Sequence, residues 1–398
     1  MRISFFLVIP VLLGGVISAG EPIQQPLPKP IPVDQYVPLP GRNAELQAFD
    51  KAVLYLSAQQ EDDGHWSAKK AGASADFSGL NGDISSTALA TYALLCSAQG
   101  KQQNRDAMMR ARRGLDWMRA RVQADGRIAD EAAPGEPVVA QLLTAMAFLQ
   151  SASMSTRNVL RETAVSTTRY GILKMRAACG GYGAVPNDSA ARADITTLAT
   201  FTFRSARMED VKFDEANPKC DTEIELNIKK GIAALLVNPE KKDGLYSLSS
   251  SDLKPDWNAT IAGALTQVLL LAPPSALSNS MRFVLNDENG ALMKKLDWGQ
   301  SGEGYRALSL WQGSLAIVYL YQEHTKEWKS WNGAAKPILL DHQDKHGSWD
   351  IGGSDGEHGR IWRAGFQAMT LIMLAPAPPP PSLPPDSTPP DNAPPAPK

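Results

Sequence analysis

Tyr55-Leu56-Ser57-Ala58-Gln59-Gln60-Glu61-Asp62-Asp63-Gly64-His65-Trp66 reads as the end of a helix, a tight turn and an aromatic lid. A glycine after a helix permits the left-handed backbone that closes it. A glutamine beside it can bond the free polar ends of neighbouring helices, and the tryptophan covers the joint. Leu339-Leu340-Asp341-His342-Gln343-Asp344-Lys345-His346-Gly347-Ser348-Trp349 repeats the pattern near the other end of the chain. A weaker version is Cys179-Gly180-Gly181-Tyr182-Gly183, and only Asp125-Gly126 and Asp243-Gly244 remain of two more. Such spacing is the mark of a repeat architecture.

Working outward, each turn is preceded by an amphipathic stretch. Leu46, Phe49, Val53 and Leu56 fall on one helical stripe, as do Leu115, Met118 and Val122, and Ile228, Ile232 and Leu235. Arg113, Asp116 and Arg121 project away from theirs, so these are outer helices, wet on one side. The stretches after the turns are apolar nearly all round. Two open alike, Asp83-Ile84-Ser85-Ser86-Thr87-Ala88 and Asp194-Ile195-Thr196-Thr197, each with Asp as a natural helix cap. Three open on tryptophan, at Trp257-Asn258, Trp311-Gln312 and Trp362-Arg363, and one starts near Pro137. With 83, 137, 194, 257, 311 and 362 as anchors, the period is 51 to 63 residues. Six helical hairpins with small, apolar second helices predict an inner ring inside an outer ring, an all-α fold of the α/α toroid type. An open solenoid is the simpler alternative, but six units at this period favour closure.

The turn motif resembles the QW motif of squalene cyclases, and the chain resembles the prenyltransferase and squalene-cyclase repeat superfamily over nearly all of its folded part. That resemblance implies the toroid; it does not bring the chemistry with it. Cyclases of this kind carry an Asp-x-Asp-Asp-Thr-Ala stretch whose central acid protonates an alkene or epoxide. Here Ser85 and Thr196 stand in the corresponding places, and a hydroxyl cannot deliver that proton. Protein prenyltransferases resemble one another in an Asp-x-Cys zinc site, absent from this sequence. Complement-type thioester domains need Cys-Gly-Glu-Gln, whereas Cys179 is followed by Gly180-Gly181-Tyr182.

Function is therefore expected to be non-catalytic binding or scaffolding, without a cofactor or metal. The candidate ligand-binding residues are Asp83, Asp194, Trp257, Asn258, Trp311, Gln312, Trp362 and Arg363. Aromatic faces beside amide and charged groups suit an apolar or a glycan ligand; the alternative is that the tryptophans seal joints between hairpins. Another exported protein is a further candidate partner. The alternative function is an enzyme acting in the mouth, either terpene cyclase-like or a glycan hydrolase or lyase built on paired carboxylates, with Asp83, Asp194 and Glu136 the acids to hand. His342 and His346 are four apart, but Gly347 puts His346 in a turn and off the register a zinc pair needs.

The remaining features bound the chain. It has 398 residues, 43% hydrophobic and 21% charged, enough for a sizeable core. Lys plus Arg number 40 against 42 acids, net −2, which excludes a nucleic-acid stripe. Arg2, the apolar run from Ile3 to Val16 and the small residues Ser18 and Ala19 make residues 1–20 a signal peptide. The expected location is secreted or periplasmic, with no membrane span in the mature chain. Residues 21–42 and 376–398 are Pro-rich, a linker and a tail that bracket the toroid at 43–375. Of three cysteines, Cys96 reads as a buried hydrophobe, while Cys179 and Cys220 could pair.

Overall fold

The computed structural model describes residues 32–37, 43–68, 82–97, 105–128, 137–155, 158–241, 243–272, 277–285, 304–321, 325–349 and 360–375. Among them twelve α-helices alternate between two layers. The outer helices are α1 (Ala44–Ala58), α3 (Arg105–Arg119), α5 (Asn158–Lys174), α7 (Cys220–Ala234), α9 (Ser278–Leu285) and α11 (Lys326–Asp341). The inner helices are α2 (Asp83–Ser97), α4 (Pro137–Ser153), α6 (Ala193–Met208), α8 (Trp257–Leu269), α10 (Gly304–Leu320) and α12 (Arg360–Leu374). Each inner helix packs on the next, and α12 packs back on α2, so the ring is closed. The fold is an all-α, α/α toroid. Among the described residues β structure is limited to isolated bridges in the turns.

Burial explains the two layers. The predicted outer stripes point inward: Phe49, Val53 and Leu56 on α1, Leu115 and Met118 on α3, and Ile228 and Ile232 on α7 are all buried. The inner helices are buried on every side, continuously from Ile84 to Cys96 and from Val138 to Leu149. Alanine, serine and threonine make that possible, because small side chains let helices approach closely and threonine can return its hydroxyl to its own backbone. Thr200, Thr202 and Thr370 do so, each donating to the carbonyl four residues back.

One joint recurs five times. Gly64, Gly126, Gly180, Gly244 and Gly347 all have φ between +70° and +102°. Two residues later Trp66, Ile128, Tyr182, Tyr246 and Trp349 sink into the core. The Trp66 and Trp349 indoles donate to the carbonyls of Leu56 and Leu339, both at 2.7 Å, and the Tyr182 hydroxyl donates to Ile172 O at 2.8 Å. The glutamines act as the motif requires: Gln60 Nε2 donates to Gly64 O and, on α3, to Arg110 O, while Gln343 Nε2 donates to Gly347 O and, on α1, to Ala48 O. The last of these spans 295 residues and closes the ring, beside a 2.6 Å ion pair between Lys336 and Glu45. In the second unit Gln141, on the inner helix, takes over the task, accepting from Ile128 N and donating to Gly126 O and Thr167 O.

Several expectations are corrected. Trp311 does not open its helix: α10 starts at Gly304, so Trp311 is its eighth residue. Asp83 and Asp194 are not level with each other. The lid amides of Trp66 and Tyr182 donate to Thr87 and Thr196, which makes those threonines equivalent and sets Ser85, not Asp83, level with Asp194. Neither aspartate caps its own helix as expected: Asp83 accepts from Ala68 N in the preceding turn, and α6 is preceded by Arg192 without a side-chain cap. A genuine cap stands at Asp256, which accepts from Ala259 N at 2.7 Å. Cys179 and Cys220 do not pair; Cys179 is exposed on its turn and Cys220 is buried at the head of α7. Cys96 is buried, and burial pushes its thiol up to about 12. Part of the N-terminal Pro-rich segment is docked on the toroid, since Tyr36 donates its hydroxyl to Asp50 on α1.

Candidate binding site at the toroid mouth

The turns place all inner-helix N-termini at one end, the mouth. Midway along the inner helices the axis is filled. Trp311 on α10 meets Phe201 on α6 edge to face, with ring centroids 5.2 Å apart, and Phe366 on α12 at 5.5 Å. In the ring α8 lies between α6 and α10, so the Phe201–Trp311 contact crosses the interior. All three side chains are buried. Trp311 is thus a plug, neither a wall of a pocket nor a seal between hairpins.

Trp257 is different. It is half-buried, donates its indole N–H to Val284 O at 3.2 Å and stacks on Trp331 with centroids 6.3 Å apart. It thus sits at the joint between α8, α9 and α11. Trp362 stands third in α12, and its side chain lies outside the described residues. Arg363 is buried and donates Nε to Trp349 O at 2.9 Å, serving the closing joint.

Two of the candidates meet, and a third stands on the inner helix between theirs. Asp194 lies in the first turn of α6 with both oxygens bound by Arg192, at 3.2 and 2.7 Å. Gln312 on α10 is fully buried and donates Nε2 to Asp194 O at 3.4 Å. Asn258 is the second residue of α8, between them. Thr260 accepts the Tyr246 amide just as Thr196 accepts that of Tyr182, so Asn258 and Asp194 share a level. Each is two residues, about 200° of helix, before a threonine that faces the outer joint; both therefore face inward. The guanidinium thus engages the carboxylate in the bidentate geometry that suits the pair.

Sequence reading missed a second polar group on the rim. His65 Nδ1 is 2.5 Å from Asp63 Oδ1, its Nε2 is 3.8 Å from Asp83 Oδ2, and its ring stacks on Trp117 at 5.1 Å. Trp117 donates to Asp63 Oδ2 at 3.0 Å and carries Arg121 over its ring, 3.6 Å from the centroid. Burial pushes the Asp63 carboxyl up, but bonds and charge from His65 outweigh it and hold it below its ordinary value. The signal was present in Asp63-Gly64-His65, read only as a turn. It holds the first turn onto α3. His346 is likewise in its exposed turn, its amide bound by Asp344.

No family model and no curated protein sequence matches the chain. Solved structures do. A type II terpene cyclase from Scytonema is 14% identical, with 83% of this chain aligned to 97% of that one at a TM-score of 0.53. A glycoside hydrolase family 76 mannosidase from Bacteroides thetaiotaomicron is 11% identical over 83% and 98%, TM-score 0.55. An alpha-amylase from Clostridium perfringens is 11% identical over 85% and 99%, TM-score 0.53. The shared feature is the toroid. At such identities the likeness extends to the fold alone, and similar toroids carry unlike chemistries.

Proposed function

We propose that this chain is an exported, non-catalytic member of the prenyltransferase and squalene-cyclase superfamily that binds at its mouth and serves as a scaffold. The observation that carries this reading is the filled axis. An enzyme acting inside the ring needs a cavity lined by the inner helices, and here Trp311 is packed between Phe201 and Phe366 while those helices are buried all round. The cyclase acid is also missing: Ser85 occupies its place on α2, and Asp194, at the same level on α6, is held by Arg192. Incubating the protein with squalene, a linear isoprenyl diphosphate and a set of polysaccharides should yield no product. A product lost in heat-killed controls and in Asp194→Asn would overturn the reading.

That variant also tests the second reading, a glycan hydrolase or lyase working at the mouth. It is favoured by the Asp194 carboxylate standing at the rim and by the enzymes among the toroids of similar fold. Export rests on residues 1–20. Expression with the full N-terminus should give a mature chain starting near Glu21 outside the cytoplasm; intact Met1 on a cytoplasmic product refutes export.

A further inference from the structure

We infer that the outer wall of the second hairpin is a docking ridge for a linear acidic polysaccharide, gripped by Arg105, Arg112 and Arg119 of α3. This surface is separate from the mouth, and the inference goes beyond the reading above. Between residues 105 and 127 stand seven arginines, no lysine and three aspartates, a local charge of +4 in a chain whose net charge is −2. The three ridge arginines are seven residues apart. At 1.5 Å per residue each step is about 10.5 Å, and it turns back by only about 20°, so the three form one row. The row lies off the stripe that buries Ala107, Ala111 and Met118. Arg105 and Arg119 are exposed and Arg112 is half-buried.

The acids nearby do not cancel the row. Asp106 is bound at 2.8 Å by Arg110, which is buried. Asp125 serves its own turn, accepting from Arg127 N. Asp116 stands 3.6 Å from Arg119 with side chains 39% and 43% exposed, and so exposed a pair is weak. On the α1 edge Arg113 donates to the Asp62 carbonyl and Trp117 to Asp63, so the ridge runs beside that edge. Past the end of α3 the exposed Arg127 donates twice to Gln123 Oε1, an uncharged acceptor that orients the guanidinium without neutralising it.

Spacing selects the partner. Guanidinium groups engage carboxylates through paired N–H donors, and an even row calls for a partner whose charges repeat. A nucleic-acid strand carries a charge about every 3.4 Å, about three per arginine step, and would leave most phosphates unmatched. A polysaccharide with an acid group on every second sugar spaces its charges far more widely. A lipid surface calls for apolar side chains to insert. Among the described residues none of the exposed large hydrophobic side chains lies on α3.

The test is binding of the full folded chain to hyaluronan, which carries a carboxylate on alternate sugars. Neutral dextran, oligo-deoxythymidylate and phosphatidylserine vesicles are measured beside it. Hyaluronan should bind, more weakly as salt is added, and dextran should not. Arg105→Gln, Arg112→Gln and Arg119→Gln together should weaken it roughly tenfold or more. Far-UV circular dichroism should stay unchanged, because glutamine is a good helix former. Removing three exposed charges at α7, by Lys219→Gln, Lys229→Gln and Lys230→Gln, should leave binding nearly intact. Asp116→Asn should tighten it, and that variant decides the matter if the arginine triple fails to fold. No hyaluronan binding at low salt, equal loss from the two triple variants, or no gain from Asp116→Asn would each overturn the ridge. Tighter binding to the oligonucleotide or to the vesicles would do the same. Turnover at the mouth, or its absence, bears on none of these outcomes.

Discussion

Trp311→Ala is expected to cost about 3–5 kcal/mol of stability, the usual penalty for emptying a large aromatic position in a core. The reason is placement. Its ring contacts Phe201 across the interior and Phe366 on the adjoining helix, and all three are buried. The neighbouring rings are fixed on separate inner helices, so they cannot all collapse into the space. Against a total of about 5–15 kcal/mol, such a loss should lower the thermal midpoint by several degrees and sharply increase binding of an apolar dye. A midpoint unchanged within one degree would mean that the axis is open, and the filled-core reading would fall with it. Trp311→Phe, which keeps an aromatic ring at the position, should recover much of the loss.

The second large effect is expected at Gly347. Its φ is +87°, and a Cβ built there would lie 2.2 Å from the carbonyl oxygen of Lys51 on α1. The backbone conformation alone costs a non-glycine residue about 1–3 kcal/mol. The overlap adds to it, because the obstacle is backbone that cannot swing aside. Gly347→Ala should therefore loosen the joint between α11, α12 and α1. The readouts are a lower midpoint and faster proteolysis within α1. Gly333→Ala is the control, since it is an exposed helical site on α11 with nothing within 4 Å of the new Cβ. There alanine should be neutral or stabilising by up to about 1 kcal/mol. Equal effects at the two glycines would refute the proposed closure.

Closure and period were legible in the sequence because joint chemistry repeats. Gly64 and Trp66, and Gly347 and Trp349, announce themselves through the two residue types hardest to replace in such a turn. Gly126 and Ile128 keep the geometry with an aliphatic lid, and the glutamine has moved to Gln141 on the following helix. That substitution is invisible without the fold. Registration within helices was less legible. An opening tryptophan carries no capping chemistry, so aligning Trp311 with Trp257 hid the fact that α10 begins at Gly304. Aspartate at the head of an apolar run suggested a cap at Asp83 and Asp194, but Asp256, preceding Trp257, was the residue that capped. Of the candidate site, Asp194 and Gln312 meet and Asn258 lies on the helix between them, while Trp257, Trp311 and Arg363 make packing and joint contacts. Periodicity marks which face of a helix is buried, but not which side chains meet across the ring, as Gln312 and Asp194 do.

The seam between α1 and α12 also fixes how the molecule hangs from its flanking chain. The C-terminal end of α1 and the N-terminal end of α12 both adjoin turns at the mouth, so Ala44 and Leu374 lie at the opposite end of the toroid. Both ends of the helical ring therefore share one pole, turned away from the mouth. The N-terminal flank is also fastened to the wall, where Tyr36 donates to Asp50 midway along α1, so a pull on it is shared between that pole and the side of the toroid.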